Sequence, residues 1–186
     1  MTIEERLDRL ESIEAIRKLQ AKYQRCLDTR DFDGLAECFA DDVESAYGNG
    51  SMSYRGKDEV ISFLCSVMGL DMPSTHLIHG GEIDITDPSH AKATWYLEDY
   101  LLHQKYKMKL HGAAIYYVDY RKEDGRWLIT SIGYKRCYEY FETRGLVNLI
   151  TLGKKTFLDE VETKKEEDLG KYGRYFRNLI LKKKKR

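Results

Sequence analysis

Four stretches in the second half of the chain decide the fold: THLIHGGEIDI (75–85), AKATWYLEDYLLHQ (91–104), KMKLHGAAIYYVDYR (107–121) and RWLITSIGYKRCYEYF (126–141). Each is rich in β-branched and aromatic residues and alternates apolar with polar positions, the pattern of a half-buried strand. Asp87-Pro88-Ser89 and Glu123-Asp124-Gly125 break the first pair and the last pair, and a short hairpin falls near Gln104 to Tyr106. Strands joined by such short breakers predict an antiparallel meander.

The first half reads differently. Ile3, Leu7, Leu10, Ile13, Ile16, Leu19 and Tyr23 recur every three or four residues and predict a helix over 3–25, opened by a Thr2/Glu5 capping box. A short helix is expected from Phe32 to Phe39, a strand from Val43 to Tyr47 ended by Gly48-Asn49-Gly50, and a helix over 57–69. Helices first and a meander after them make an α+β fold, with the helices on one concave face of the sheet. One domain is expected over 1–150. Residues 151–186 form an extension, helical over 154–180 and ending in Lys-Lys-Lys-Lys-Arg.

Composition narrows the function classes. The chain has 186 residues, 42% of them hydrophobic, enough for a packed core. Lysine plus arginine and aspartate plus glutamate are 31 each, so net charge offers no argument for nucleic acid. Apolar runs fall far short of the roughly 18 residues that span a bilayer, and the charged start MTIEERLDRLESIE has no apolar signal core. A cytoplasmic protein without membrane attachment is expected. Cys26, Cys38, Cys65 and Cys137 are widely spread, which predicts reduced thiols rather than a disulfide framework or a zinc cluster. Glycine-rich phosphate loops and GxSxG elbows are missing, so nucleotide cofactors and serine hydrolysis have no support.

Strict alternation assigns faces. Leu77, His79, Gly81, Ile83 and Ile85 fall together; so do Ala93, Trp95, Leu97, Asp99 and Leu101; so do Leu128, Thr130, Ile132, Tyr134, Arg136 and Tyr138. Each apolar face thus carries one ionisable residue: His79, Asp99 and Arg136. A buried unpaired charge costs several kcal/mol, so such residues are paired or line a cavity. A lone histidine is usually a satisfied core residue and a lone inward Asp or Arg half of an ion pair. Three on three of the four long strands favour a polar cavity for a small molecule. His76 and His79, three apart on a strand, point to opposite faces and cannot share a metal ion. The other strand faces carry Tyr96, Tyr100, Tyr117 and Trp127, an aromatic surface that predicts a homo-oligomer formed through the sheet.

The order of elements resembles the cone-shaped α+β barrel of the nuclear transport factor 2-like superfamily. Ile13-Glu14-Ala15-Ile16 and Lys22-Tyr23-Gln24-Arg25-Cys26-Leu27-Asp28 resemble the opening of its SnoaL-like branch, and His76-Leu77-Ile78-His79 before Glu82-Ile83 resembles its catalytic-histidine strand. With Trp95-Tyr96-Leu97-Glu98-Asp99 and Gly133-Tyr134-Lys135-Arg136-Cys137-Tyr138-Glu139, the stretch from about 10 to 142 is similar to the bile acid 7-dehydratases of intestinal anaerobes. That resemblance implies a trimer that removes water across carbons 6 and 7 of a 3-oxo-4-ene bile acyl coenzyme A thioester, using no metal or redox cofactor. It implies Tyr23, Asp28, His79, Asp99 and Arg136 as site residues. Histidine chemistry suits a base for the acidified carbon 6 proton, and His79 oriented by Asp28 is the expected dyad. A ketosteroid-isomerase-like enzyme and a non-catalytic steroid-binding module of the same fold remain as alternatives, and 7α against 7β stereochemistry stays open.

Overall fold

The computed structural model describes residues 1–103, 105–143 and 164–184. Helix α1 runs from Ile3 to Thr29, longer than its apolar period suggested, and α2 from Phe32 to Ala36. The capping box is formed: Thr2 Oγ1 accepts from the Glu5 N–H at 3.1 Å and the Glu5 carboxylate accepts from the Thr2 N–H at 2.7 Å. Strand β1 (Phe39–Tyr47) begins where the short helix was expected to end. The Gly48–Gly50 turn then leads into β2 (Met52–Arg55), too short to show a period in sequence, and α3 (Lys57–Val67) follows. The long strands are β3 (Ser74–Asp87), β4 (His90–His103), β5 (Met108–Glu123) and β6 (Arg126–Thr143).

These six strands form one sheet in the order β2-β1-β6-β5-β4-β3, antiparallel except for the parallel β1–β6 pair. The sheet is curved but unclosed, with β2 and β3 as its two edges, so the expected barrel is an open one. Helix α1 packs against β3 and β6. Its Ile16, Tyr23 and Leu27 are buried, whereas Ile3, Leu7 and Leu10, at the start of the expected stripe, are exposed among the described residues. A buried polar chain fastens α1 to the sheet. Trp95 Nε1 donates to Tyr120 Oη at 3.0 Å, and Tyr120 Oη donates to Gln20 Oε1 at 2.6 Å.

Bulges on two strands correct the face assignments. Between His79↔Tyr96 and Glu82↔Thr94, β3 spends Gly80 and Gly81 against the single Trp95 of β4. Gly80 takes φ +36°, and a Cβ on Gly81 would lie 2.2 Å from the Trp95 ring. One extra residue reverses the phase of everything before it. Ile83 and Ile85 face inward as expected, but upstream the inward residues are Ile78, His76 and Ser74, while Leu77 and His79 face out. On β6, Ile132, Tyr134 and Arg136 keep their expected face. Register shifts beside Thr130 and Cys137 bring Trp127 and Ile129 inward in place of Leu128 and Thr130, and turn Tyr138 outward. Trp127 is therefore removed from the expected outer aromatic surface, on which Tyr96 and Tyr117 remain exposed.

Helix α4 (Lys171–Lys184) covers the helical layer and packs on α2 and α3. The part of the expected helix at 154–163 lies outside the described residues; 164–170 hold only a short 3₁₀ turn, Glu166–Asp168.

Candidate active site

Asp28 projects from the last turn of α1, and the start of β3 passes beside it. Its Oδ1 lies 2.6 Å from His76 Nδ1 and accepts from Ser74 Oγ at 2.8 Å; its Oδ2 accepts from the His76 backbone N–H at 2.8 Å. An ionised carboxylate only accepts, so Nδ1 carries the imidazole proton and Nε2 presents its lone pair. Nε2 has no hydrogen-bond partner among the described residues. Burial opposes the Asp28 anion. The hydrogen bonds from the His76 ring, its backbone N–H and the Ser74 hydroxyl outweigh burial and hold the carboxyl below its ordinary range.

The structure therefore brings Asp28 to His76 and not to His79. His79 stands on the outer face, its side chain 57% exposed, with Nε2 3.6 Å from Glu98. The carboxylate named in the expected dyad meets an imidazole of β3, and that imidazole is His76. The bulge substitutes His76 for His79.

Across the β3–β4 ladder His76 is in register with Asp99 on the same inward face. Asp99 and Arg136, expected separately, are each other's partners: both Arg136 terminal nitrogens donate to the Asp99 carboxylate at 2.7 Å. Burial would depress the Arg136 guanidinium, but the Asp99 hydrogen bonds and charge hold it above its ordinary range. Gly112, opposite Asp99 on β5, leaves the space. A Cβ there would stand 2.6 Å from Arg136 Nη1 and 2.7 Å from Asp99 Oδ1.

From this pair a chain of aromatic rings leads inward. The Arg136 guanidinium lies 4.9 Å from the Tyr134 ring centre, Tyr134 packs edge-on against Tyr116 at 5.7 Å, and Tyr116 against Tyr23 at 6.4 Å. The Tyr23 and Tyr47 hydroxyls are 3.3 Å apart. Burial, with the neighbouring tyrosines, pushes the Tyr23 and Tyr116 phenols far up, so both are neutral hydrogen-bond donors at working pH. The resemblance implies Tyr23 but neither Tyr47 nor Tyr116; the small residues Gly112 and Ala114 ahead of Tyr116 on one face are the available signal. Among the described residues no group of histidine, cysteine and carboxylate side chains could hold a metal ion, and no helix is long and apolar enough to cross a membrane.

Residues 8–132 match the SnoaL-like domain family. The chain belongs to that family. The SnoaL-like domain also superposes on solved structures of low sequence identity. A type 2 hexachlorocyclohexane dehydrochlorinase is similar at TM-score 0.68 and 20% identity over 73% of this chain and 92% of that one. A scytalone dehydratase homologue from Novosphingobium aromaticivorans is similar at 0.67 and 19%, over 72% and 89%. A nuclear transport factor 2-like protein of unknown function from Pseudomonas putida is similar at 0.59 and 18%, over 68% and 87%. At these identities the likeness establishes the α+β fold.

Proposed function

We propose that this SnoaL-like domain is a cofactor-independent carbon–oxygen lyase in which His76 is the general base and Asp28 its orienting carboxylate. The observation that carries the reading is the 2.6 Å contact between Asp28 and His76 Nδ1, which leaves Nε2 as a proton acceptor. Support for elimination comes from two similar structures whose names denote it, one a dehydrochlorinase and the other a dehydratase homologue. The proposed substrate is a 3-oxo-4-ene, 7-hydroxy bile acyl coenzyme A thioester, on the resemblance carried by Trp95–Asp99 and Gly133–Glu139.

The residue chemistry suits that reaction. The conjugated ketone acidifies the carbon 6 hydrogens. Nε2 takes one, the electrons pass into the dienolate, and their return forms the carbon 6–7 double bond as the 7-hydroxyl receives that proton from the imidazolium and departs as water. A neutral buried tyrosine supplies the hydrogen bond that a developing oxyanion needs in a dry site. The Asp28 anion stabilises the imidazolium that forms. We propose a homo-oligomer, a trimer by resemblance, associating through the outer face that exposes Tyr96 and Tyr117; light scattering at micromolar concentration tests it, and a monomer overturns it.

The direct test is to add the thioester and follow the absorbance of the extended dienone. Turnover that disappears in His76→Ala supports the reading. Deuterium exchange at carbon 6 without loss of the hydroxyl would turn it toward the isomerase-like alternative.

A further inference from the structure

Asp28 holds a negative charge where the fold least favours one. It lies in the last turn of α1, at the negative end of the aligned peptide dipoles, and its side chain is largely buried. Arg30 supplies the compensation. It ends α1 in the left-handed conformation, φ 60° and ψ 29°, which folds it back under the helix, and it is 2% exposed. Its Nη1 donates to the carbonyls of Leu27 at 2.8 Å and Asp28 at 2.9 Å, and to Ser74 Oγ at 3.0 Å. Its Nη2 donates to the carbonyls of Met72 and Gly69. The guanidinium thus joins the end of α1, the segment before β3 and the first residue of β3. These are the pieces that must meet for Asp28 to face His76.

The Ser74 hydroxyl is the link. Its oxygen accepts from Arg30, so its proton is left for Asp28 Oδ1. We infer that Arg30 and Ser74 are positioning residues that lock the Asp28 carboxylate against His76 and so fix which imidazole nitrogen carries the proton. The other charges around the dyad do not replace them. Arg136 of β6 is taken up by two carboxylates, Asp99 of β4 and Glu139 of β6. Asp71, ahead of β3, acts on Arg30 with the same sign as Asp28. The kinetic consequence rests on His76 being the base; the tautomer does not.

The experiment uses the full chain labelled with ¹⁵N-histidine. At neutral pH, His76 is expected to show a protonated Nδ1 and an acceptor Nε2. Ser74→Ala removes the hydroxyl that holds Asp28 Oδ1, leaving Oδ2 on the His76 backbone N–H, and should mix the two tautomers, while Ser74→Thr, which keeps the hydroxyl, should restore the single form. Arg30→Lys keeps the charge but not the planar fork and should mix them as well. If the thioester is a substrate, kcat in Ser74→Ala falls about 10- to 100-fold, more than KM changes, because a misplaced base loses near-attack geometry. Unaltered tautomers in Ser74→Ala, with or without a lower melting temperature, would mean a merely structural tie and overturn the inference. Mixed tautomers in a protein whose wild type leaves the thioester untouched would uphold the positioning role and remove the proposed substrate.

Discussion

At the scale of single residues, the two histidines of His76-Leu77-Ile78-His79 are separated by environment rather than by chemistry. His76 Nδ1 is engaged by Asp28 and its side chain is 9% exposed; His79 is open to solvent on the opposite face. His76→Ala should lower kcat by at least about 100-fold with little change in KM, whereas His79→Ala should stay within about twofold, since acid–base residues act through turnover. Asp28→Asn should cost as much as His76→Ala or somewhat less, because its amide can donate to Nδ1 and impose the wrong tautomer. The double variant should be no worse than the worse single one, as for groups acting as a unit. Asp28 also sets a pH signature on stability. Its folded-state carboxyl lies below the ordinary 3.8, so the stabilisation is present above that pH and is lost as pH falls through the folded value. Urea denaturation should find wild type more stable than Asp28→Asn at neutral pH, with the gap closing below 3.8.

At the scale of the element, the bulge on β3 absorbs one extra residue, so that His76 rather than His79 faces Asp28 while Ile83 and Ile85 stay inward. Period-2 reading carries a single phase along a strand, so it succeeds where no residue is inserted. On β4 the face is as read: Ala93, Trp95, Leu97 and Asp99 are buried and Leu101 is half-buried. On β3 and β6 it fails on the far side of each inserted residue. Gly80-Gly81 was a visible sign, since paired glycines inside a strand mark bulges, but alternation alone gives no reason to change phase there. The parallel β1–β6 pairing joins Phe39–Ala46 to Ile129–Gly133 across the whole meander, and local pattern contains no such information. The device is testable in isolation. A Cβ on Gly80 would meet nothing within 4 Å, yet its φ is +36°. Gly80→Ala should therefore destabilise by about 1–2 kcal/mol through backbone strain alone, measured by denaturant midpoint. Deleting Gly80 returns β3 to strict alternation with His76 still inward, so that variant should keep the dyad and its ¹⁵N signature. A deletion that moved His79 to Asp28 would disprove the role given to the bulge.

At the scale of the molecule, α4 raises the question of whether the chain beyond the sheet belongs to the site or to the scaffold. A helix over this stretch was legible in the sequence; what its Tyr172, Phe176, Leu179 and Ile180 pack on was not, because that surface is assembled from α2 and α3. Phe176 is 2% exposed, its ring 4.6 Å from that of Phe32. The Asp33 carboxylate accepts from the backbone N–H groups of Tyr172 at 2.9 Å and Gly173 at 3.2 Å, closing the start of α4 with a charge of the favourable sign. Asp58 holds Lys171 and the Tyr172 hydroxyl from α3. All of these anchors lie on the helical layer, and none touches Asp28, His76, Asp99 or Arg136. Phe176→Ala should therefore cost about 3–4 kcal/mol, as for other buried phenylalanines, and lower the melting temperature by roughly 6–15 °C for a chain of this size. At a temperature where the variant is still folded, kcat per folded molecule should match wild type. Thermal melting and turnover measured on the same samples separate the two roles. A large loss of kcat with little change in melting temperature would make α4 part of the catalytic architecture.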